Sequence, residues 1–259
     1  MRIALGVEYN GAGFCGWQTQ PGVRTVQDNV EKALAHVADH AVRVVTAGRT
    51  DTGVHACGQV IHFDSDAQRS AYSWVFGANA HLPTDVSVLW AQAVSEEFHA
   101  RFSATGRHYR YVILNRTMRP GMLGTQVSWY YRPLDVERMA TAARCLLGEH
   151  DFSSYRAVSC QAKNPVRTVR RLDIKRHGDL VVMELEANAF LQHMVRNIAG
   201  VLMTIGAGER EPGWATEVLL ARDRTLGGVT AQPQGLTLVR VDYPEHFGLP
   251  QLSANLYPF

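Results

Sequence analysis

GRTDTGVHA, residues 48–56, is a polar segment that separates two apolar stretches of the chain. The stretches Val42–Ala47 and Gly58–Phe63 have the composition of buried strands, so the polar segment is predicted to be the loop between them. Its glycines suit sharp turns, and its one carboxylate, Asp51, lies between two threonines. A lone aspartate in a loop often only closes a local turn, and that interpretation competes with a chemical role.

Apolar periodicity on both sides of this loop predicts the remaining elements. Strands are predicted over Ile3–Tyr9, Val86–Val94, His108–Leu114, Val166–Arg176, Leu180–Ala187 and Leu236–Tyr243. Helices are predicted after Thr25, around Tyr72–Phe76, from Asp135 to Leu147, over Phe190–Ile205 and near Trp214–Ala221. Each half of the chain combines strands with long helices without strict alternation, which indicates an α+β fold.

Composition narrows the class of protein. The 259 residues are 46% hydrophobic with a formal net charge of +2, so the chain can form a core but needs a local basic surface to hold an acidic partner. Glu8 interrupts the apolar amino terminus, and Ile198–Gly208 is too short to span a bilayer, so we expect a cytoplasmic protein without membrane association.

Several motifs of cofactor and metal sites fail on inspection. Gly11–Gly16 matches the dinucleotide fingerprint, but Trp17–Gly22 intervenes where a helix should begin, so we predict a loop that presents Trp17 and Gln18. No lysine stands in a P-loop context, and His55-Ala56-Cys57 lacks the other zinc-deaminase residues. We therefore expect neither a cofactor nor a metal.

Two basic segments fit an RNA partner. Arginines and aromatic residues alternate over Arg101–Tyr111 without an acidic residue, a pattern typical of base stacking and phosphate contact. Residues 163–176 carry six cations and one acid, Asp173. On a regular strand, Arg171 would share a face with Val169, and Arg170 would take the other. The segment is either a phosphate track or a solvated edge strand.

Arg196 lies in the most apolar predicted helix. Its neighbours one turn away, including Ala199 and Gly200, are small or polar and leave room for another backbone to approach. A guanidinium there needs a carboxylate partner unless the side chain extends to the surface.

These residues together closely resemble the bacterial tRNA pseudouridine synthase A family, over nearly the whole chain up to Pro250. The matching motifs are Tyr9–Gly11, Phe14–Gln18, Gly48–Ala56, Gly58–Val60, Phe98–Ala104, Tyr109–Tyr111, Asp151–Ser153, Phe190, Met194–Ile198 and Gly235-Leu236. The Gly48–Ala56 block is the most specific of them. One departure is Gly77-Ala78-Asn79, where the family more often has valine before the asparagine.

The resemblance implies two α/β halves with a continuous, largely antiparallel mixed sheet, helices on one side and a central basic cleft. We expect residues 1–101 to form the amino-terminal half with the Asp51 loop, residues 102–248 the carboxy-terminal half, and residues 249–259 a tail. The implied protein is a cofactor-free homodimeric isomerase. It converts uridines 38, 39 and 40 of the tRNA anticodon stem-loop into pseudouridines.

The resemblance also implies the roles of individual residues. Asp51 is the expected nucleophile, Tyr109 stacks on the target uracil, Arg196 pairs with Asp51, and Arg49 helps to extrude the base. An aspartate is ionised at neutral pH and can form a covalent intermediate by attack at C1′ or C6, or remove a proton to give a glycal. Further substrate contacts are expected from Arg107, Arg110, Arg170 and Arg171.

Two functions of other classes remain as alternatives at this point. A noncatalytic RNA-binding protein would keep the basic cleft without turnover. A nucleoside or sugar hydrolase would need a carboxylate pair, for which Glu96 and Glu97 are the candidates, although adjacent residues of a strand point to opposite faces.

Overall fold

A computed structural model describes residues 1–250, and the chain is divided into two compact units. Unit 1 combines Met1–Thr105 with the described chain from Thr237 onward, and unit 2 is Gly106–Leu236. This division differs from the expected halves because the last strand, β10, pairs in parallel with β3 of unit 1. The expected tail lies, from residue 251 on, outside the described residues.

Unit 1 is a mixed, mostly antiparallel sheet with two helices. Its strands have the order β4-β1-β3-β10, and β2 pairs with β3. The bounds are β1 Arg2–Tyr9, β2 Val45–Thr46, β3 His55–Asp64, β4 Val86–Val94 and β10 Leu236–Asp242, with helices α1 Val26–Ala38 and α2 Ala71–His81. The predicted start of α1 after Thr25 is confirmed, and the Thr25 hydroxyl caps the helix by accepting a hydrogen bond from the Asp28 amide.

Unit 2 repeats this combination with three helices. Its strands have the order β5-β9-β8-β7, all antiparallel, and β6 pairs in parallel with β5. The bounds are β5 Gly106–Asn115, β6 Ser128–Tyr130, β7 Gly148–Asp151, β8 Val166–His177 and β9 Leu180–Ala187, with helices α3 Val136–Ala143, α4 Met194–Gly206 and α5 Trp214–Ala221. The predicted α+β class is confirmed, and the predicted strands Val166–Arg176 and Leu180–Ala187 form the antiparallel hairpin β8–β9.

A bulge in β8 corrects one expectation about its faces. The register shifts between Val169 and Arg171, so Arg171 pairs with Glu186 while Val169 pairs with Ala187. An inserted residue changes the alternation of the strand. Arg170 and Arg171 are therefore both exposed, and Arg171 does not share the buried face of Val169.

No helix in the described part of the chain is long and apolar enough to cross a membrane.

We expect His62 of β3 to make the stability of unit 1 dependent on pH. Its ring is 4% exposed, and its Nδ1 accepts a hydrogen bond from the Ala100 amide at 3.1 Å. Burial, assisted by the charge of Arg2, lowers the pKa of His62 from 6.5 to about 4. At pH values between about 4 and 6.5, the unfolded chain therefore binds a proton at His62 more readily than the folded chain does. We expect the free energy of unfolding to fall by up to about 3 kcal/mol as the pH drops from 6.5 to 4.

Urea unfolding at pH 7 and pH 4.5 tests this prediction. The His62→Gln variant keeps an acceptor without a titrating ring, so its loss of stability over the same interval should be smaller. An equal loss in wild type and variant would assign the pH dependence to other groups.

Candidate functional site

The Asp51 segment is a short loop between β2 and β3, as the sequence predicts. The Ala47 amide donates to the Val60 carbonyl at 2.8 Å, and the Val54 amide donates to the Asp51 carbonyl at 3.1 Å, which closes the loop on itself. Thr50 is buried and Asp51 is half-buried, whereas Arg49 and Thr52 are exposed. The loop thus holds a carboxylate at the boundary between protein interior and solvent.

The glycine-rich segment after β1 fixes this loop from one side. The Trp17 amide donates to the Thr50 carbonyl at 3.0 Å, and the Gly53 amide donates to the Phe14 carbonyl at 3.4 Å. Gly16 has a φ of +83°, and a Cβ there would lie 2.8 Å from the Thr50 oxygen, so only glycine permits this approach. The expectation that the segment presents Trp17 is wrong, because the ring is 1% exposed and packs as part of the support.

A buried polar network connects the loop to strands β1 and β3. The Tyr9 hydroxyl lies 2.8 Å from the Thr50 hydroxyl, and Gln59 Nε2 donates to the Gly48 carbonyl at 2.7 Å and to the Tyr9 oxygen at 3.4 Å. Burial raises the pKa of Tyr9 to about 12, so its hydroxyl keeps the proton that this network needs. Gln59 of β3 thereby holds the loop at Gly48, and Tyr9 of β1 holds it at Thr50, next to Asp51.

In unit 2, Tyr109 and Arg107 lie on one face of β5. Residues two apart on a strand share a face. Tyr109 is half-buried and meets Phe190 edge to face, with ring centroids 5.0 Å apart. Arg107 is 9% exposed, and its Nη1 donates to the Asn188 carbonyl at 2.7 Å. One flat aromatic ring and one guanidinium are thus held side by side.

Arg196 lies in the first turn of α4, where a second backbone approaches closely, as its small neighbours predict. Its Nε donates to the Ala231 carbonyl at 2.8 Å, and the Ala231 amide donates back to the Arg196 carbonyl at 3.1 Å. A Cβ on Gly200 would lie 1.8 Å from the Val229 oxygen, so glycine is required there. The guanidinium is therefore oriented by the backbone of the 229–231 segment.

Three of the expected phosphate-binding arginines have carboxylate partners. Arg110 lies 2.8 Å from Glu184, Arg170 lies 3.6 Å from Glu186, and Arg171 lies 2.6 Å from Asp173 and 3.0 Å from Glu184. Their positive charge is thus balanced within the β5, β8 and β9 surface. Their contact with substrate stays a prediction, and these pairs weigh against it.

The carboxylate pair of the hydrolase alternative lies far from Asp51. Glu96 and Glu97 follow β4 in an exposed turn, at the sheet end where Arg2 pairs with both Val94 and Asp64. Asp51 precedes the opposite end of β3, and ten residues of strand span about 30 Å. Glycoside hydrolysis requires carboxyl groups about 5–10 Å apart, so these residues do not form that site with Asp51.

Comparison with known proteins assigns this arrangement to a family. A family model described as tRNA pseudouridine synthase matches residues 6–103 and 142–244. A tRNA pseudouridine synthase A of Nitrosococcus oceani is 62% identical over 98% of both chains. Relatives of the same name from Coxiella burnetii and Vibrio cholerae are 56% identical, over 100% and 97% of this chain and 98% and 96% of their own lengths. At this identity and coverage, the chain belongs to the tRNA pseudouridine synthase family.

Proposed function

We propose that this protein isomerises uridine to pseudouridine in tRNA, at positions 38, 39 and 40 of the anticodon stem-loop. The observation that carries the proposal is the Asp51 loop, which is held from two sides and places half-buried Asp51 between buried Thr50 and exposed Thr52. The similarity to proteins named tRNA pseudouridine synthase A over nearly the full length supports tRNA as the substrate and pseudouridine formation as the reaction.

The reaction is an isomerisation, so its bonds and protons balance between the uridine and the solvent. The C1′–N1 bond breaks, the uracil turns, and a C1′–C5 bond forms. The C5 proton leaves and N1 gains a proton, so the oxidation state does not change. A carboxylate serves each of the three routes, through attack at C1′, attack at C6 or proton removal to a glycal.

The roles of the site residues follow from their chemistry. Asp51 acts as the nucleophile, and Arg196 is its cationic partner, with the Ala231 carbonyl orienting the guanidinium. Tyr109 stacks on the extruded uracil, and its edge-to-face contact with Phe190 keeps one orientation of the ring. Arg49, exposed two residues before Asp51, helps to extrude the base. Extrusion costs a few kcal/mol, which stacking and phosphate contacts offset.

We further propose that the enzyme acts as a cytoplasmic homodimer in which both subunits contact one tRNA. The resemblance to the family supports this assembly. Analytical ultracentrifugation of the protein with and without tRNA tests it. A dimer that binds one tRNA is the expected species, and a monomer that binds tRNA with full activity would contradict the proposal.

Release of tritium from C5-labelled uridine in unmodified tRNA tests the function directly, without added cofactor. A matched tRNA with cytidine at positions 38–40 is the control. We expect release from the first RNA only. Tight binding of both RNAs without release would instead support the noncatalytic RNA-binding protein.

Loss of the Tyr9 hydroxyl should slow the reaction without weakening RNA binding. The Tyr9→Phe variant leaves Thr50 without its partner, so the Asp51 loop loses a buried support. One neutral hydrogen bond is worth about 1 kcal/mol, and we expect single-turnover rates about fivefold lower with an unchanged Kd for tRNA. Tyr155→Phe is the matched control, because it removes another buried hydroxyl, bonded to the Ala215 carbonyl at 3.1 Å. An equal rate loss in both variants would reveal general destabilisation instead of positioning.

A further inference from the structure

Arg167 and Arg107 extend from the same face of the unit 2 sheet. Arg107 of β5 pairs with Ala187 of β9, and Ala187 pairs with Val169 of β8. Paired residues of neighbouring strands point to the same side, and Arg167, two residues before Val169, shares that side. The backbones of β5 and β8 are two strand spacings apart, about 10 Å, and Arg167 lies two residues from Val169 along β8. Two long arginine side chains can span this separation.

Asn188, just beyond β9, links the surroundings of both arginines. Its carbonyl accepts from Arg107 Nη1 at 2.7 Å, and its side-chain oxygen accepts from the amide of Thr168, next to Arg167, at 3.0 Å. The Asn188 amide donates to the Thr168 carbonyl at 3.1 Å. Both arginines therefore project from strand ends that Asn188 connects by hydrogen bonds.

Arg167 is partly buried and donates only to neutral oxygens. Its Nη1 lies 2.9 Å from the Asn164 carbonyl and 2.6 Å from the Val166 carbonyl, and its buried Nε has no hydrogen-bond partner among the described residues. No carboxylate of residues 1–250 forms an ion pair with it. A partly buried guanidinium without an anion costs free energy that a bound anion would recover.

Burial and the nearby charge of Arg107 both affect the pKa of Arg167. Burial is the main cause of a lowered pKa at its guanidinium. Cys160 raises this pKa, and the positive charge of Arg107 lowers it. An anion bound between the two guanidinium groups would relieve this repulsion.

The other arginines of these strands differ in this respect. Arg110, Arg170 and Arg171 face three carboxylates, those of Asp173, Glu184 and Glu186. Phosphate contact by these arginines would break existing ion pairs. Arg167 could bind a phosphate without breaking an ion pair. Arg167 and Arg107 also share their face with Tyr109, two residues from Arg107, where the target base is proposed to stack.

We infer that Arg167 and Arg107 form a phosphodiester-binding subsite that holds the RNA backbone close to the nucleotide stacked on Tyr109. This inference rests on the proposed function for the identity of the RNA. The subsite positions the substrate and does not take part in bond making.

The salt dependence of tRNA binding tests the subsite. Fluorescence anisotropy gives the Kd of unmodified tRNA over a series of KCl concentrations for wild type, Arg167→Met, Arg167→Lys and Arg138→Met. Arg138 is the control, since this partly buried arginine of unit 2 also donates to two carbonyls, those of Ile205 and Arg210, but has a carboxylate partner, Glu211, at 3.3 Å. Melting temperatures confirm that each variant is folded.

We expect Arg167→Met to weaken binding about tenfold and to reduce the slope of log K against log salt by roughly 0.7 to 0.9, the value of one phosphate contact. Arg167→Lys should keep the slope and lose part of the affinity, because an ammonium cannot form a fork of parallel bonds. Arg138→Met should retain the wild-type slope. A slope unchanged in Arg167→Met would overturn the subsite.

The same proteins separate this inference from the proposed function. A wild-type protein that releases no tritium, but whose slope falls in Arg167→Met, would support the subsite and refute the isomerase. Tritium release by wild type with an unchanged slope in Arg167→Met would refute the subsite alone.

Discussion

Asp51→Asn should abolish pseudouridine formation while the protein still folds and binds tRNA. The substitution keeps the size of the side chain and removes its charge, so the loop contacts of Thr50, Gly53 and Val54 with their backbone partners remain. An amide is neither a nucleophile nor a base at neutral pH, and loss of a nucleophile typically costs roughly 10⁴-fold or more in rate. Single-turnover tritium release measures the rate, and anisotropy measures the Kd for tRNA.

Asp66→Asn is the matched control for this experiment. Asp66 is an exposed carboxylate of the same unit, beyond the end of β3, and its loss should leave both rate and affinity unchanged. Residual turnover within about tenfold of wild type in Asp51→Asn would contradict the nucleophilic role. A Kd that rises in parallel with the loss of rate would instead make Asp51 a binding residue.

The strength of the local signal decided which elements the sequence could predict. Periodicity over eight or more residues located β4 and α5 with their observed bounds. β7, Gly148–Asp151, was missed because its four residues show no apolar alternation and it exists through pairing with β8. β2 is shorter than predicted because the Val44 amide donates to Glu31 of α1 instead of to a strand.

In the candidate site too, features encoded by neighbouring residues were predictable, whereas contacts between residues far apart in the chain were not. The Asp51 loop is marked by its own residues, so the sequence located it. Its support by Tyr9 depends on a partner 41 residues away in the chain, which no local pattern reveals. The charge balance around Arg170 and Arg171 was misjudged because Glu184 and Glu186 come from the neighbouring strand, and counting along β8 omits them.

Replacement of Arg196 should give the second largest loss of activity. In Arg196→Met, the side chain keeps most of its length but loses its charge and the Nε–H that donates to the Ala231 carbonyl at 2.8 Å. The proposed partner of the Asp51 carboxylate is then absent, so we expect the single-turnover rate to fall about 10³-fold, as when one charge-stabilising donor of an active site is removed. Affinity for tRNA should change much less, because Arg196 is proposed to act on the nucleophile.

The response to a retained charge distinguishes electrostatic from structural roles of Arg196. Arg196→Lys restores a positive charge without the fixed, planar set of donors, so its rate should recover only partly, to about 10²-fold below wild type. Arg138→Met supplies the structural control at the other end of α4, where Arg138 donates to the Ile205 carbonyl. It should lower the melting temperature without slowing the reaction. If Arg196→Met and Arg138→Met lost equal melting temperature and equal activity, stability of α4 would explain the effect, and the pairing of Arg196 with Asp51 would be refuted.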